Sequence, residues 1–199
     1  MPQPLILASR SDIRTKLLSQ AAIVHEVVKP RVDEEMIKQA LVAEAATPRD
    51  IADALAEMKA RKVSEKHPGA LVLGCDQVLD HRGVLLSKSK DSEGALNQLK
   101  SLQNDRHSLL SAAVICEDGK PIWRHLGQVR LRMRAVSDDY IINYVTRNWD
   151  SIQHAVGCYK LEEEGVRLFS SIEGDYFHVL GMPLLELINY LTLRGDLAS

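Results

Sequence analysis

Leu71-Val72-Leu73-Gly74-Cys75-Asp76-Gln77-Val78-Leu79, LVLGCDQVL, sets a carboxylate in an otherwise apolar run. Val72, Leu73, Val78 and Leu79 are residues of an interior strand, and Gly74 lets the backbone bend or lets another group approach closely. A carboxylate in such a run must be hydrogen-bonded, paired or bound to a cation, so Asp76 is either a structural acid or the centre of a site.

Around this run, 199 residues are enough for one domain with a sizeable core, and no Ser-, Gly- or Pro-rich linker divides them. The expectation is a single domain over residues 1–199. A net charge of −2 gives no sign of a general nucleic-acid or membrane-surface binder, so anions must be handled by local Arg and Lys clusters. Cys75, Cys116 and Cys158 are odd in number and never in CxxC spacing, which argues against a disulfide framework and a zinc site. The opening MPQPLILASR lacks a signal peptide's basic and apolar regions, and no apolar run reaches membrane-spanning length. The expected compartment is the cytoplasm.

Pro4–Ser9 reads as a short buried strand, followed by a turn and a helix from Asp12 to Ala21. Arg14, in the first turn of that helix, lies beside free N–H groups and can complete an anion site with them, or it is simply solvated. Ser9 and Ser11 read first as ordinary capping and turn chemistry. Ile23–Val28 forms a second strand. Asp33, Glu34 and Glu35 suit the N-terminus of the next helix, which is the plain account of all three acids. Thr47, Pro48 and Asp50 form a capping box with proline in the first helical position. The helix they open buries Ile51, Ala54, Leu55 and Met58, leaving Lys59, Arg61 and Lys62 on the face ordinarily wet.

After the Asp76 strand, Gly83 makes a turn and Val84–Leu86 a hairpin partner. Ser92 caps a helix carrying Ala95, Leu99 and Leu102 inward. His107, at the start of a buried strand, reads first as structural. From Gly127 the chain alternates: Val129, Leu131 and Met133 face one way, Arg130, Arg132 and Arg134 the other. The arginine row is read as the solvated face of an antiparallel edge strand, with RNA as its rival. Ser137 caps a helix bearing Ile141, Tyr144 and Val145. Val166–Ile172 is strand-like, Pro183 opens the last helix and Gly195 ends it. Strands and helices interleave with hairpin-like interruptions, so the expected class is α/β, a mixed central β-sheet flanked by helices. Neither a P-loop nor a GxGxxG occurs, so phosphate chemistry would use scattered side chains.

These residues fall into a familiar series. LILASRSDIRTKLL resembles the opening LILAS-x-SP-x-R-x-x-LL of the Maf-like nucleotide pyrophosphatases, and GCDQV resembles their Gly-(Ser/Ala)-Asp-(Gln/Thr)-Val. Val32-Asp33-Glu34 is similar to the family's VDE, Leu55-Ala56 with Lys59-Ala60 to its LA-x-x-KA, and Lys88 to the lysine of its GKP. Arg106-His107, Val156-Gly157-x-Tyr159, Gly174-Asp175-Tyr176 and Val179-x-Gly181-x-Pro183-Leu184 follow in order, so the resemblance covers nearly the whole chain. It implies a fold similar to that of the inosine-triphosphate pyrophosphatases. It also implies hydrolysis of a nucleoside triphosphate at the α-phosphate, giving a monophosphate and pyrophosphate.

Under that resemblance Asp76 is the expected base, and Glu34 and Asp76 the ligands of Mg²⁺ or Mn²⁺. Lys59 and Lys88 offset phosphate charge, and Ser9 and Arg14 bind substrate. Ile13, Gln77 and Glu162 resemble the base-recognition positions. Asp76-Gln77 and Lys160-Leu161-Glu162 match the branch acting on 7-methyl-GTP rather than the dTTP/UTP branch. A glutamate accepts from guanine N–H groups and favours a cationic methylated ring. The chain departs from the family at Ser11-Asp12, Ser87-Lys88-Ser89, Gly127-Gln128 and His178. The alternatives are a low-turnover nucleotide-binding regulator of cell division acting through a partner, and a dTTP/UTP pyrophosphatase. Expected partners are a nucleoside triphosphate and, for assembly, a second copy in a homodimer, without nucleic acid or membrane.

Overall fold

Glycine at position 74 decides how closely the main sheet and its longest helix meet. The computed structural model describes residues 5–198, so Pro4 of the first expected strand lies outside the described residues. Those residues fold as two compact units, the first holding the chain up to Gln77, Ser111–Gly127 and the part from Tyr176 onward, the second holding Val78–Leu110 and Gln128–Asp175.

In the first unit, β1 (Leu5–Ala8) pairs in parallel with β2 (His25–Val27) and with β3 (Leu71–His81), in the register Leu5 to His25 and Leu5 to Leu71. The sheet order continues through β5 (Arg106–Glu117) to β6 (Lys120–Met133). Alternation along β3 sends Leu71, Leu73 and Cys75 into a core with Leu17 and Leu18 of α1 (Asp12–Gln20). Leu184, Leu187 and Leu191 of α7 (Leu184–Arg194) close that core. Val72, Gly74 and Asp76 therefore face the other way, toward α3 (Pro48–Ser64). A Cβ at Gly74 would stand 2.2 Å from the Ala56 carbonyl oxygen and 2.7 Å from the Ala60 nitrogen, so glycine is what lets α3 lie against β3.

That close approach corrects the face assigned to α3. Met58 is 42% exposed, whereas Ile51, Ala52, Leu55, Ala56, Lys59, Ala60 and Val63 are buried. The face against Gly74 accepts only small side chains at 56 and 60, and it carries Lys59 inward with them. Thr47 and Asp50 form the expected capping box. Asp33 caps α2 (Glu34–Ala43) by accepting from the Met36 N–H.

In the second unit, β3 continues into a hairpin with β4 (Val84–Leu86), Leu79 opposite Leu86. Its turn residues Arg82 and Gly83 have φ of 56° and 83°, the twist a two-residue hairpin loop requires. Asp91, not Ser92, caps α4 (Ser92–Leu102): its side chain accepts from the Gly94 N–H, leaving Ser92 as the first helical residue. Ser137 caps α5 (Asp138–Ile152) as expected. β7 (Phe169–Glu173) pairs antiparallel with β6, so β6 is not an edge strand, although Arg130 and Arg132 are exposed. Only Phe169–Glu173 is strand, because Glu164–Leu168 winds into a 3₁₀ turn. A short helix, α6 (Tyr176–Val179), then leads back into the first unit. The class is mixed α/β, with a central mixed sheet flanked by helices. The three cysteines are buried and unpaired. Among the described residues no helix is long and apolar enough to cross a membrane.

Candidate active site

Asp76 is 6% exposed, and its carboxylate is answered by one cation. The Lys59 ammonium donates to Asp76 Oδ1 at 2.6 Å and lies 2.8 Å from Glu34 Oε2, with the Cys75 carbonyl oxygen at 3.4 Å. Lysine has three N–H donors, so this set engages all of them. Burial pushes the Asp76 carboxyl up, Lys59 pulls it back by charge and hydrogen bond, and Arg14 adds to that pull; the net direction is upward. The two sides of the cluster differ in exposure: the Lys59 and Asp76 side chains are enclosed, while the Glu34 side chain is 48% exposed at the start of α2.

Arg14 lies beside this cluster and is held by main-chain acceptors. Its Nε donates to Gly181 O at 2.8 Å and its Nη1 to Cys75 O at 3.0 Å, with Ser9 Oγ at 3.5 Å. It thereby ties α1 to β3 and to the loop before α7. Gly181, at φ 88°, has no Cβ where one would press the guanidinium at 3.0 Å. Ser9 is buried, and its hydroxyl accepts from the Ser11 N–H at 3.1 Å, the expected turn. Ile13 packs on the first-unit core. The Gln77 amide nitrogen lies 2.9 Å from Ser111 Oγ, 2.9 Å from His178 O and 3.0 Å from Val179 O.

Ser9, Arg14, Glu34, Lys59 and Asp76 are thus brought together within the first unit, with Ile13 and Gln77 beside them in sequence. Lys88 and Glu162 belong to the second unit. Lys88 is exposed in the segment between β4 and α4. Glu162 is exposed too, but its neighbours are committed: Glu163 to Lys160 and Ser151, and Glu164 to Arg147 and Asn148. Glu162 has no such partner among the described residues. The carbonyls of Cys75 and Gly181, which hold the two cations, were not foreseeable because a main-chain acceptor leaves no mark on residue type.

Can Glu34 and Asp76 hold a divalent cation? Both reach the Lys59 ammonium, so the two carboxylates are neighbours, and two carboxylates completed by phosphate and water oxygens are a hard donor set that suits Mg²⁺ or Mn²⁺.

The family model described as "Maf-like protein" matches residues 4–193. A nucleoside triphosphate pyrophosphatase of Roseobacter denitrificans is 74% identical over 197 residues, 99% of each chain. One from Ruegeria pomeroyi is 69% identical over 195 residues, 98% of each. The solved structure of a HAM1 protein from Coxiella burnetii aligns over 96% of this chain and 98% of its own, with a TM-score of 0.53 at 14% identity, a likeness of fold.

Proposed function

The chain belongs to the Maf-like protein family, and from that premise we propose that it is a nucleoside triphosphate pyrophosphatase acting at the α-phosphate with Asp76 as base. The observation that carries the reading is the enclosed Lys59 ammonium shared by Asp76 and Glu34. A structural ion pair needs one acid; a second, exposed acid on the same ammonium leaves a position that substrate can contest.

Water attacks the α-phosphorus, the new P–O bond forms as the bond to the β-phosphate oxygen breaks, and the water proton passes to Asp76. Burial favours this role, since a carboxyl raised toward neutrality is a stronger base than an ordinary one. Lys59 would exchange the exposed Glu34 for a phosphate oxygen at least cost while keeping Asp76 in place. Ser9 Oγ accepts from Ser11 and keeps its own proton to donate to a phosphate. Arg14 contributes positive charge from a fixed position, and Lys88 is assigned to the leaving pyrophosphate. Glu34 and Asp76 would hold Mg²⁺ or Mn²⁺, which when bound supplies charge neutralisation to the triphosphate.

For the base, we assign Ile13, Gln77 and Glu162, and 7-methyl-GTP as the preferred substrate. Both Gln77 protons are engaged by oxygen acceptors on β5 and α6, so toward a base it offers an oxygen. Glu162 offers oxygens as well. The two oxygens of that carboxylate suit the N1–H and N2 amino donors of a guanine better than a pyrimidine edge. The test is pyrophosphate release from a nucleotide panel with Mg²⁺ or Mn²⁺, on the native protein and on Asp76→Asn. Turnover by the native protein and a loss of about 10²-fold in kcat for the variant are expected. A folded Asp76→Asn protein with near-native kcat would reject the base. Higher kcat/KM for dTTP or UTP would reject the guanine assignment and leave the pyrophosphatase standing.

A further inference from the structure

A second set of ligand atoms converges in the first unit: His125 on β6, His178 on α6 and Glu186 in the first turn of α7 place one donor each within 4.8 Å of one another. From this arrangement we infer that the three residues form a zinc-type metal site that clamps α6 and α7 to β6.

Distances support coordination. His178 Nε2 lies 3.1 Å from Glu186 Oε2, and His125 Nε2 lies 3.6 Å from Glu186 Oε1. The two imidazoles thus flank the Glu186 carboxylate, one on each oxygen, and one donor from each residue falls within 4.8 Å of the others, close to the roughly 3.3 Å between donors that a tetrahedral ion with bonds of about 2.0–2.1 Å needs. Two imidazoles and a carboxylate select borderline ions such as Zn²⁺ over Mg²⁺, which prefers oxygen donors throughout. His178 is not a surface histidine, since its side chain is only 8% exposed.

The backbone makes room for the set. Trp123, His125 and Gly127 alternate onto one face of β6. At Gly127 the missing Cβ leaves space that the His178 ring fills, since a Cβ there would stand 1.9 Å from His178 Nδ1. His125 is oriented by a stack on Trp123 (6.5 Å, 19°), which in turn stacks on Tyr190 (5.2 Å). Tyr190 stands one helical turn after Glu186, so the aromatic contact and the ligand contact dock α7 on β6 in one register. His125 also lines a cleft of about 350 Å³ with Arg49, Asp53 and Arg124, so one ligand of the set is reached from solvent.

Occupancy would reach the Asp76 neighbourhood without touching it. The His178 carbonyl accepts from Ser111 Oγ at 2.6 Å and from Gln77 Nε2 at 2.9 Å, so fixing α6 fixes the partner of the residue next to Asp76.

The experiment is calorimetric titration of ZnCl₂ into chelator-stripped, full-length protein in Mg²⁺-free buffer, with melting curves alongside. His125→Ala and Glu186→Gln change partly exposed side chains, and circular dichroism checks their folding. The native protein should bind one equivalent with a Kd of about 1 µM or tighter. Each variant should weaken that at least tenfold, in line with the loss from disturbing even supporting groups of a metal site, and the rise in Tm that zinc gives the native protein should be lost in both. Glu34→Gln should bind like the native protein. No binding tighter than about 100 µM on the affinity scale, native affinity in both His125→Ala and Glu186→Gln, or a loss confined to Glu34→Gln would overturn the site.

Discussion

Gly74→Ala places a methyl group between β3 and α3, where the structure has no space for it. The added carbon would stand 2.2 Å from Ala56 O, 2.7 Å from Ala60 N and 3.0 Å from Ala60 Cβ. Ordinary carbon–oxygen contacts begin near about 3.3 Å, so the shortfall is about 1 Å. The two nearest atoms belong to the helix backbone and cannot rotate aside, so α3 must retreat or β3 must bend. Overpacking of this kind costs about 1–3 kcal/mol, and in a chain of this size each kcal/mol moves Tm by roughly 2–4 °C. Lys59 lies between Ala56 and Ala60 on the displaced helix, and its 2.6 Å contact with Asp76 would lengthen with the retreat. Misplacement by about 1 Å near reacting atoms is worth roughly 10²-fold in rate. The assay is steady-state pyrophosphate release with a parallel melt, comparing Gly74→Ala with Gly83→Ala. Gly83 sits at φ 83° with nothing near its absent Cβ, so that variant carries backbone strain alone and should keep its kcat/KM. Native Tm and kcat/KM in Gly74→Ala would refute the claim that helix approach positions Lys59.

Lys59→Ala should lower stability by roughly 3 kcal/mol at neutral pH, because it leaves Asp76 buried without its ammonium, and kcat/KM by about 10²-fold or more. Denaturant melts should show the deficit shrinking at low pH, where Asp76 takes a proton; a silent substitution would remove Lys59 from the site. Burial, aided by the charge of His81, holds the His107 imidazole down at about 4 from 6.5, so the unfolded chain binds the proton more readily. Its contribution is therefore full above pH 6.5 and is lost as pH falls toward 4, by roughly 3 kcal/mol. His107→Phe should flatten that part of the pH–stability curve, and an unchanged slope would assign the acid sensitivity elsewhere. Glu162→Gln should reduce the preference for 7-methyl-GTP over UTP while leaving Tm unchanged, and an unaltered ratio of kcat/KM values would release Glu162 from base recognition.

Much of the fold is legible because local signals and burial agree. The run Leu71–Leu79 is an interior strand, Thr47 and Asp50 cap α3, Ser137 caps α5, and Gly195 ends α7 in the left-handed region. The misreadings occur where two assignments use the same residues. Asp91 and Ser92 are both good caps, and only the geometry shows that the Asp91 side chain reaches Gly94. On α3 the hydropathy of Met58 outweighs that of Ala52, Ala56 and Ala60, yet the partner surface at Gly74 admits only the alanines. Hydropathy ranks side chains by their cost in water, whereas here the available volume decides.

The candidate site is legible in kind and not in commitment. Residue type identifies Asp76 as an acid that burial makes costly, Gln77 as the polar group next to it, and Arg14 as a cation in the first turn of a helix. It cannot show that Arg14 is held by the carbonyls of Cys75 and Gly181, or that the Gln77 amide is held by His178 and Val179. These bonds alter what each group can offer a substrate: Arg14 acts as a fixed charge more than a reaching clamp, and Gln77 as an acceptor. Lys59 shows the opposite case. It reads as one of three lysines and arginines on a wet helix face, yet it is the one drawn inward, because Ala56 and Ala60 bracket it against a glycine. The family resemblance singles Lys59 out, and the signal for it in the residues themselves is that small-residue bracket facing Gly74, taken together with an acid two positions along the same strand face.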